Sequence, residues 1–299
     1  MYDVIVVGGG PAGLTAAIYA VRANKKVLVL EDTACGGQII NTSVISNYPA
    51  APGITGLEFG QRLQQQAEDL GVEIEFEHVD KIIENDGSKI VQTEDDQYKA
   101  KAVIIATGTE PRHLGLDNED KFTGRGISFC ATCDGGFYKG KTVAVNGGGN
   151  SALHEALYLS DVASKVYLIH RREEFRGSPS LVEKVKEREN IEIITSVTIV
   201  GLIGDGKLEK IALSDGRELE IDGLFVAIGR EPKAKGLIDG LKLSEGDFIE
   251  SDERCLTNIP GIFVAGDVRQ KELRQLVTAV SDGAIAASAA LNYVNSVDF

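Results

Sequence analysis

Cys130 and Cys133 are separated by two residues in the run Cys130-Ala131-Thr132-Cys133-Asp134. Thiols at this spacing can close a small disulfide ring and exchange it with the disulfide of a partner. Lowering the pKa of one thiol would favour attack at neutral pH. Asp134 is the candidate for moving protons, as a carboxylic acid in a partly desolvated site. Zinc is the competing use of paired cysteines. A closed zinc site needs four ligands. This chain has one close pair, two isolated cysteines (Cys35 and Cys255) and four histidines (His78, His113, His154 and His170) without ligand spacing. No metal is expected, and Cys35 and Cys255 read as small apolar residues of the interior.

Two glycine runs could hold nucleotides. Gly8-x-Gly10-x-x-Gly13 follows the apolar run Val4 to Val7 and opens an Ala-rich segment that reads as a helix over 11–23, beginning at Pro11 and Ala12. The first glycine permits a tight turn, the second lets backbone approach a pyrophosphate, and the third lets the helix pack closely on its strand. Helix N–H groups then stabilise the phosphate charge. Glu31 ends the next apolar run, Val27 to Leu30, where a carboxylate would accept hydrogen bonds from ribose hydroxyls.

The unit recurs at Gly147-x-Gly149-x-x-Ala152, with Asn150 and Ser151 opening the helix and a strand over Val166 to Ile169 following. Gly147 stands as far before His170 as Gly8 stands before Glu31. At this matching place the sequence reads His170-Arg171-Arg172, with Arg176 close behind. A carboxylate there would repel a 2′-phosphate, whereas arginines bind one through charge-assisted, often bidentate hydrogen bonds. The second site is therefore expected to take NADP(H) rather than NAD(H). The first lacks such arginines and suits FAD, whose adenosine ribose carries a free 2′-hydroxyl.

The chain has 299 residues, 43% hydrophobic and 25% charged, with 34 glycines, many of them after apolar runs. The length fits two domains. The formal net charge of −14 disfavours a nucleic-acid partner or an anionic membrane surface. No apolar run reaches membrane-span length and no signal peptide opens the sequence, so the expected location is cytoplasmic. Further strands should end at Ala106-Thr107-Gly108, at Gly229 and at Gly266-Asp267. Alternating segments at 72–79, 89–92, 191–200 and 208–221 read as small antiparallel sheets. The expected fold is α/β: two Rossmann-like, three-layer dinucleotide-binding domains, the second inserted in the first. Residues 1–112 and 243–299 would form the FAD domain, and 113–242 the NADPH domain carrying the cysteine pair.

With these residues in place the chain resembles the low-molecular-weight thioredoxin reductases across almost its full length. The matching stretches are Gly8 to Gly13, Gly36-Gly37-Gln38, Asn47-Tyr48-Pro49, Ala106-Thr107-Gly108, Cys130 to Gly135, Gly147 to Ala152, His170-Arg171-Arg172, Gly266-Asp267-Val268 and Arg274-Gln275. The resemblance implies that Glu31 to Gln38 line the adenosine and pyrophosphate of FAD. It places Asn47 near the flavin, Asp267 at the ribityl or pyrophosphate portion, and Arg274-Gln275-Leu276 beside the isoalloxazine. It also implies a homodimer whose second domain rotates, and electron flow from NADPH through FAD to Cys130–Cys133 and on to a thioredoxin-like protein. Cys133 would be the sulfur nearer the flavin and Cys130 the one that attacks the partner. Three positions depart from the family pattern: Gly136 after the cysteine motif, Lys233 where Asn is frequent, and His154 where Glu or Gln is common. The same motifs would also serve a ferredoxin-fed reductase, one serving a peroxidase, or a flavin-bound redox sensor. A ferredoxin–NADP reductase of similar fold would have no use for the cysteine pair.

Overall fold

The computed structural model describes residues 1–42 and 44–297. The chain divides into two compact units, Met1–Glu110 with Glu231–Phe299, and Pro111–Arg230.

The first unit opens with β1 (Tyr2–Val7), α1 (Pro11–Arg22) and β2 (Val27–Leu30), followed by α2 (Gly56–Asp69) and β3 (Glu73–Glu75). A hairpin of β4 (Val79–Asn85) and β5 (Ser88–Thr93) leads into the long β6 (Gln97–Ile105) and the short β7 (Thr109–Pro111). β3, β2, β1 and β6 lie side by side in parallel. The run 72–75, expected in an antiparallel sheet, is thus a parallel edge strand. Its Glu-Ile-Glu alternation reflects an edge covered on one face only.

The second unit begins with α3 (Glu119–Phe122), β8 (Ile127–Ser128) and the single turn α4 (Ala131–Asp134). β9 (Thr142–Asn146), α5 (Asn150–Ser160) and β10 (Lys165–His170) repeat the strand–helix–strand corner. Then come α6 (Pro179–Lys186), β11 (Ile191–Thr195), β12 (Ile199–Ile203), β13 (Lys210–Leu213), β14 (Glu218–Glu220) and β15 (Gly223–Val226). The order β11-β10-β9-β15-β8 makes a parallel sheet, and β12-β13-β14 a small antiparallel one. Here too the expectation for 191–200 is half corrected, because β11 joins the parallel sheet. Helices α5 and α6 cover one sheet face through Leu153, Ala156, Leu159, Leu181 and Val185. The antiparallel sheet covers the other through Ile199, Leu202, Ile211 and Leu213. These are the three layers of a Rossmann-like domain.

The chain returns through β16 (Arg230–Pro232), which pairs with β7, and completes the first unit with β17 (Ile262–Val264) beside β6 and α7 (Leu276–Ser296). α1 and α7 pack on one sheet face with Leu14, Ala17, Ala286, Ala287 and Ala290 fully buried. The second junction lies at Arg230, earlier than the expected Gly240-Leu241-Lys242. Ala234, Leu237 and Ile238 explain this, because they bury against Ile82, Val103 and Ile105 of the first unit's sheet.

Candidate redox and dinucleotide sites

In the first unit the glycine turn joins β1 to α1. A Cβ on Gly13 would run into the carbonyl oxygen of Gly8, and one on Gly8 into that of Ala106, at the end of β6. Side chains are excluded here because strand ends and helix start press backbone on backbone. Gly36 and Gly37, both at positive φ, bring the loop after β2 back to the turn. Gly36 N–H donates to the Gly9 carbonyl at 2.8 Å, and a Cβ on Gly37 would stand 3.2 Å from the Gly10 Cα. Glu31 accepts the Gly9 N–H at 2.6 Å and the Thr33 N–H at 3.1 Å. Gln38 is exposed at the mouth of this cradle.

The same corner collects residues from far along the chain. A Cβ on Gly266 would stand 2.8 Å from the Ala12 Cβ, and one on Gly283 would strike the Ala12 carbonyl. Asp267 therefore lies beside the start of α1, and its buried Oδ1 makes no hydrogen bond but faces Lys271 Nζ at 3.7 Å. Arg274 crosses Phe248 at 4.0 Å and donates to the Asp267 and Arg269 carbonyls at 3.1 and 3.2 Å. Gln275 is the N-cap of α7, and Leu276 begins that helix. Asn47 Nδ2 donates to Gln275 Oε1 at 2.9 Å, joining two residues the sequence reading placed beside one flavin. Thr107 is tied by its hydroxyl to the Lys233 carbonyl at 2.6 Å, with Ala106 buried and Gly108 half-buried.

The group that holds this corner has no motif in the sequence. Asp282, on α7, accepts from Arg269 Nη1 at 2.9 Å, Lys271 Nζ at 2.8 Å and Gly266 N–H at 3.1 Å, with Arg269 and Asp282 both buried. A buried carboxylate is tolerated only with such partners. Its signal was weak: one acid in an Ala-rich helix, answered by two cations a dozen residues earlier.

In the second unit a Cβ on Gly147 would strike the Ala227 carbonyl, and one on Gly148 the His170 ring. His170 is buried, stacks on Phe175 at 5.3 Å and approaches the Glu174 carbonyl at 3.2 Å. Burial holds its pKa below the usual imidazole value. His170, expected as a cofactor contact, forms the floor of the turn beneath Gly148. Gly149 faces open space, and Ser151 is exposed on the first turn of α5 while Ala152 is buried. The N–H groups of Arg176 and Gly177 donate to the Gly148 carbonyl at 2.8 and 3.1 Å, and Asn150 accepts the Ser178 N–H at 2.8 Å. This fold-back sets Arg176 at the turn. Arg171, Arg172 and Arg176 are exposed, with no ion-pair partner among the described residues.

Cys130 and Cys133 form a disulfide across α4, with Cα atoms 5.3 Å apart. Ser128 Oγ accepts the Cys130 N–H at 3.1 Å and donates to Asp134 Oδ2 at 2.7 Å. Burial raises the Asp134 pKa against the lowering effect of that hydrogen bond. The open space beside Gly136 shows that a small residue there costs no packing. Cys35 and Cys255 are buried, and burial first, then nearby carboxylates, pushes each thiol up to about 11. The thiolate of each is thereby disfavoured at neutral pH. No group of three or more metal-ligating side chains occurs among the described residues.

The sequence profile of the family described as pyridine nucleotide-disulphide oxidoreductase matches residues 2–283. The chain belongs to that family. As a pyridine nucleotide-disulphide oxidoreductase it is an enzyme using FAD and NADPH, and its residues fit both. Bare backbone at Gly10 and Gly37 and the uncapped start of α1 fit a flavin dinucleotide. The open Gly149, the uncapped start of α5 and three free guanidinium groups fit a 2′-phosphorylated nicotinamide dinucleotide. Within the family, the chain is 40% identical over 304 residues to a thioredoxin reductase of Listeria innocua, covering 99% of this chain and 95% of that protein. The crystal structure of thioredoxin reductase from Streptococcus pyogenes is 39% identical, with a TM-score of 0.93 and 99% of both chains covered. A ferredoxin-flavin thioredoxin reductase from Clostridium acetobutylicum is 35% identical, with a TM-score of 0.55 and 99% of both chains covered. No helix among the described residues is long and apolar enough to cross a membrane.

Proposed function

We infer that this chain is an NADPH-dependent thioredoxin-disulfide reductase of the low-molecular-weight type, acting on a thioredoxin or a small thioredoxin-like protein. The observation that carries this reading is the Cys130–Cys133 disulfide in a single helical turn, with a proton-holding carboxyl tied to it, in the unit that bears the arginine-flanked glycine turn.

Gly8, Gly10, Pro11, Ala12 and Gly13 would hold the FAD pyrophosphate, Glu31 its adenosine ribose, and Asp267 its ribityl or pyrophosphate portion. Gly36, Gly37 and Gln38 would line the dinucleotide. Asn47, Ala106, Thr107, Gly108, Gly266, Arg274, Gln275 and Leu276 would surround the rest. Gly147, Gly149, Asn150, Ser151 and Ala152 would take the NADPH pyrophosphate, and Arg171, Arg172 and Arg176 its 2′-phosphate, over the floor made by His170. When bound, the two cofactors supply the hydride and two-electron chemistry that side chains lack.

The chain's own residues deliver the electrons. As a thiolate, Cys130 attacks the partner's disulfide, forming a mixed disulfide and releasing one partner thiolate. Cys133 then attacks the Cys130 sulfur, which closes the ring and releases the second. The partner gains two electrons and two protons. Asp134, kept protonated to higher pH than an ordinary carboxyl, holds one proton at the pair and returns it.

The visible spectrum of the purified protein tests the cofactor assignment: flavin bands bleached by NADPH are expected, and a colourless protein that takes up no flavin overturns it. Rapid mixing with NADPH, NADH and reduced ferredoxin identifies the reductant, NADPH being expected to react fastest. A Cys133→Ser variant should trap thioredoxin on Cys130, and the opposite trapping pattern would exchange the two sulfurs. Light scattering should give twice the chain mass.

A further inference from the structure

Helix α5 runs from the second glycine turn past the redox turn, and the backbone N–H of Ala131, the residue after Cys130, lies where it favours the ionised form of the Glu155 carboxyl on that helix. Its Oε2 is buried with no hydrogen-bond partner among the described residues. A carboxyl in that position is neither a surface charge nor a member of a satisfied buried pair. It lies one peptide unit from a redox-active sulfur, and no step above uses it.

The surroundings decide its charge. On the redox turn and its continuation the ionisable groups are Asp134, which is bonded to Ser128, and Tyr138. On α5 itself His154 and Tyr158 are exposed, and on α6 so are Glu183, Lys184 and Lys186. His170, at the end of β10, is engaged with Glu174. Arg230 is the charge that acts on Glu155, favouring the ionised form, but burial outweighs it and raises the carboxyl pKa to about 7. Glu155 therefore changes charge near neutral pH.

We propose that the charge state of Glu155, transmitted through the Ala131 amide, sets how readily the Cys130–Cys133 pair accepts electrons. This rests on the reading of that pair as the redox centre. Reduction puts two electrons into the S–S bond and breaks it. The sulfurs take up two protons, or one proton with a thiolate remaining at higher pH. A negative carboxylate beside Cys130 opposes the thiolate, whereas a neutral carboxyl does not. Glu155 is a positioning residue here, since it touches the backbone of the turn and not the sulfurs.

The test is the equilibrium of the flavin-loaded protein with dithiothreitol, which supplies two electrons and two protons as it closes to its cyclic disulfide. The reduced fraction is read by alkylation and mass spectrometry, without NADPH or thioredoxin. Glu155→Gln keeps the acceptor for Ala131 and removes the charge. At about pH 6 the variant and the wild type should coincide. At about pH 9 the wild type should be roughly fivefold harder to reduce, the effect of raising one thiol pKa by about a unit. Coincidence at both pH values overturns the proposal. A pair that dithiothreitol cannot open and close at all would instead overturn the redox-centre reading. Infrared difference spectra of reduction provide a second measurement that does not depend on the equilibrium. A carboxyl band that shifts in the wild type and in Asp134→Asn but is missing in Glu155→Gln supports the proposal. A band unchanged by Glu155→Gln opposes it.

Discussion

The two glycine turns open the same strand–helix corner and are finished in opposite ways. In the first, backbone meets backbone: Gly13 against Gly8, Gly8 against Ala106, Gly36 bonded to Gly9, and Gly283 against Ala12. In the second, only Gly147 presses on backbone, at the Ala227 carbonyl, and side chains do the rest, His170 under Gly148 and Ala152 beside Gly147, while Gly149 faces open space. The first is a closed cradle, suited to a dinucleotide that stays. The second is an open shelf, suited to one that arrives and leaves each turnover. The two acids differ in the same sense. Asp282 in the first unit is satisfied by Arg269, Lys271 and a backbone N–H, whereas Glu155 in the second has an orphaned oxygen.

Asp282→Ala should do the most damage, because it takes the close carboxylate from buried Arg269 and half-buried Lys271. A loss of about 3–5 kcal/mol in denaturant unfolding is expected, with flavin lost as Gly266 and Asp267 relax. If stability and flavin content were unchanged, the cluster would have no part in building the cradle. Gly13→Ala should cost about 3 kcal/mol, since the added methyl meets a backbone carbonyl that cannot swing aside. The purified variant should be largely flavin-free, and full flavin content would show that the cradle is not closed.

Glu155 should act in the opposite direction. Its unfolded-state pKa is near 4.5 and its folded value about 7, so between those values the folded chain keeps a proton that the unfolded chain has lost. Stability then falls as pH rises through that window, by up to about 3 kcal/mol, and stays lower above it. Glu155→Gln should flatten this slope in thermal unfolding against pH, whereas parallel slopes would mean that Oε2 finds a partner. Replacing Arg171 and Arg172 together by Ala should raise KM for NADPH by about tenfold or more, with KM for NADH little changed. An equal rise for both would place the arginines away from the 2′-phosphate. The smallest effect is expected for Gly149→Ala, within about 0.5 kcal/mol in stability because its methyl meets nothing. Any change should appear in KM for NADPH.

The features legible in the sequence were those where one residue type is required by geometry or chemistry. Gly8, Gly13 and Gly147 sit where a side chain collides with backbone, and the cysteine pair has its spacing. Residues whose meaning depends on distant partners stayed hidden. Asp282 is an acid in a helix until Arg269 and Lys271 fold over it, and Glu155 is unremarked until Ala131 and Arg230 come near. The strands β3 and β11 were assigned to the wrong kind of sheet, because an alternating pattern reports one covered face and not the direction of the neighbouring strand. The twelve residues after Arg230 carry no boundary signal, and only the burial of Ala234, Leu237 and Ile238 shows which core they complete.

The bare guanidinium groups of Arg171, Arg172 and Arg176 stand on a chain whose formal net charge is −14. An approaching polyanion is therefore repelled at long range and attracted only over the last few ångströms. Dissolved ions act on both parts, since the screening length is about 10 Å at 0.1 M salt. Moderate salt removes the distant repulsion before it dulls the contact attraction. Capture of the dinucleotide should accordingly quicken as salt is first added and slow when much more is present, where a uniformly basic pocket would only slow.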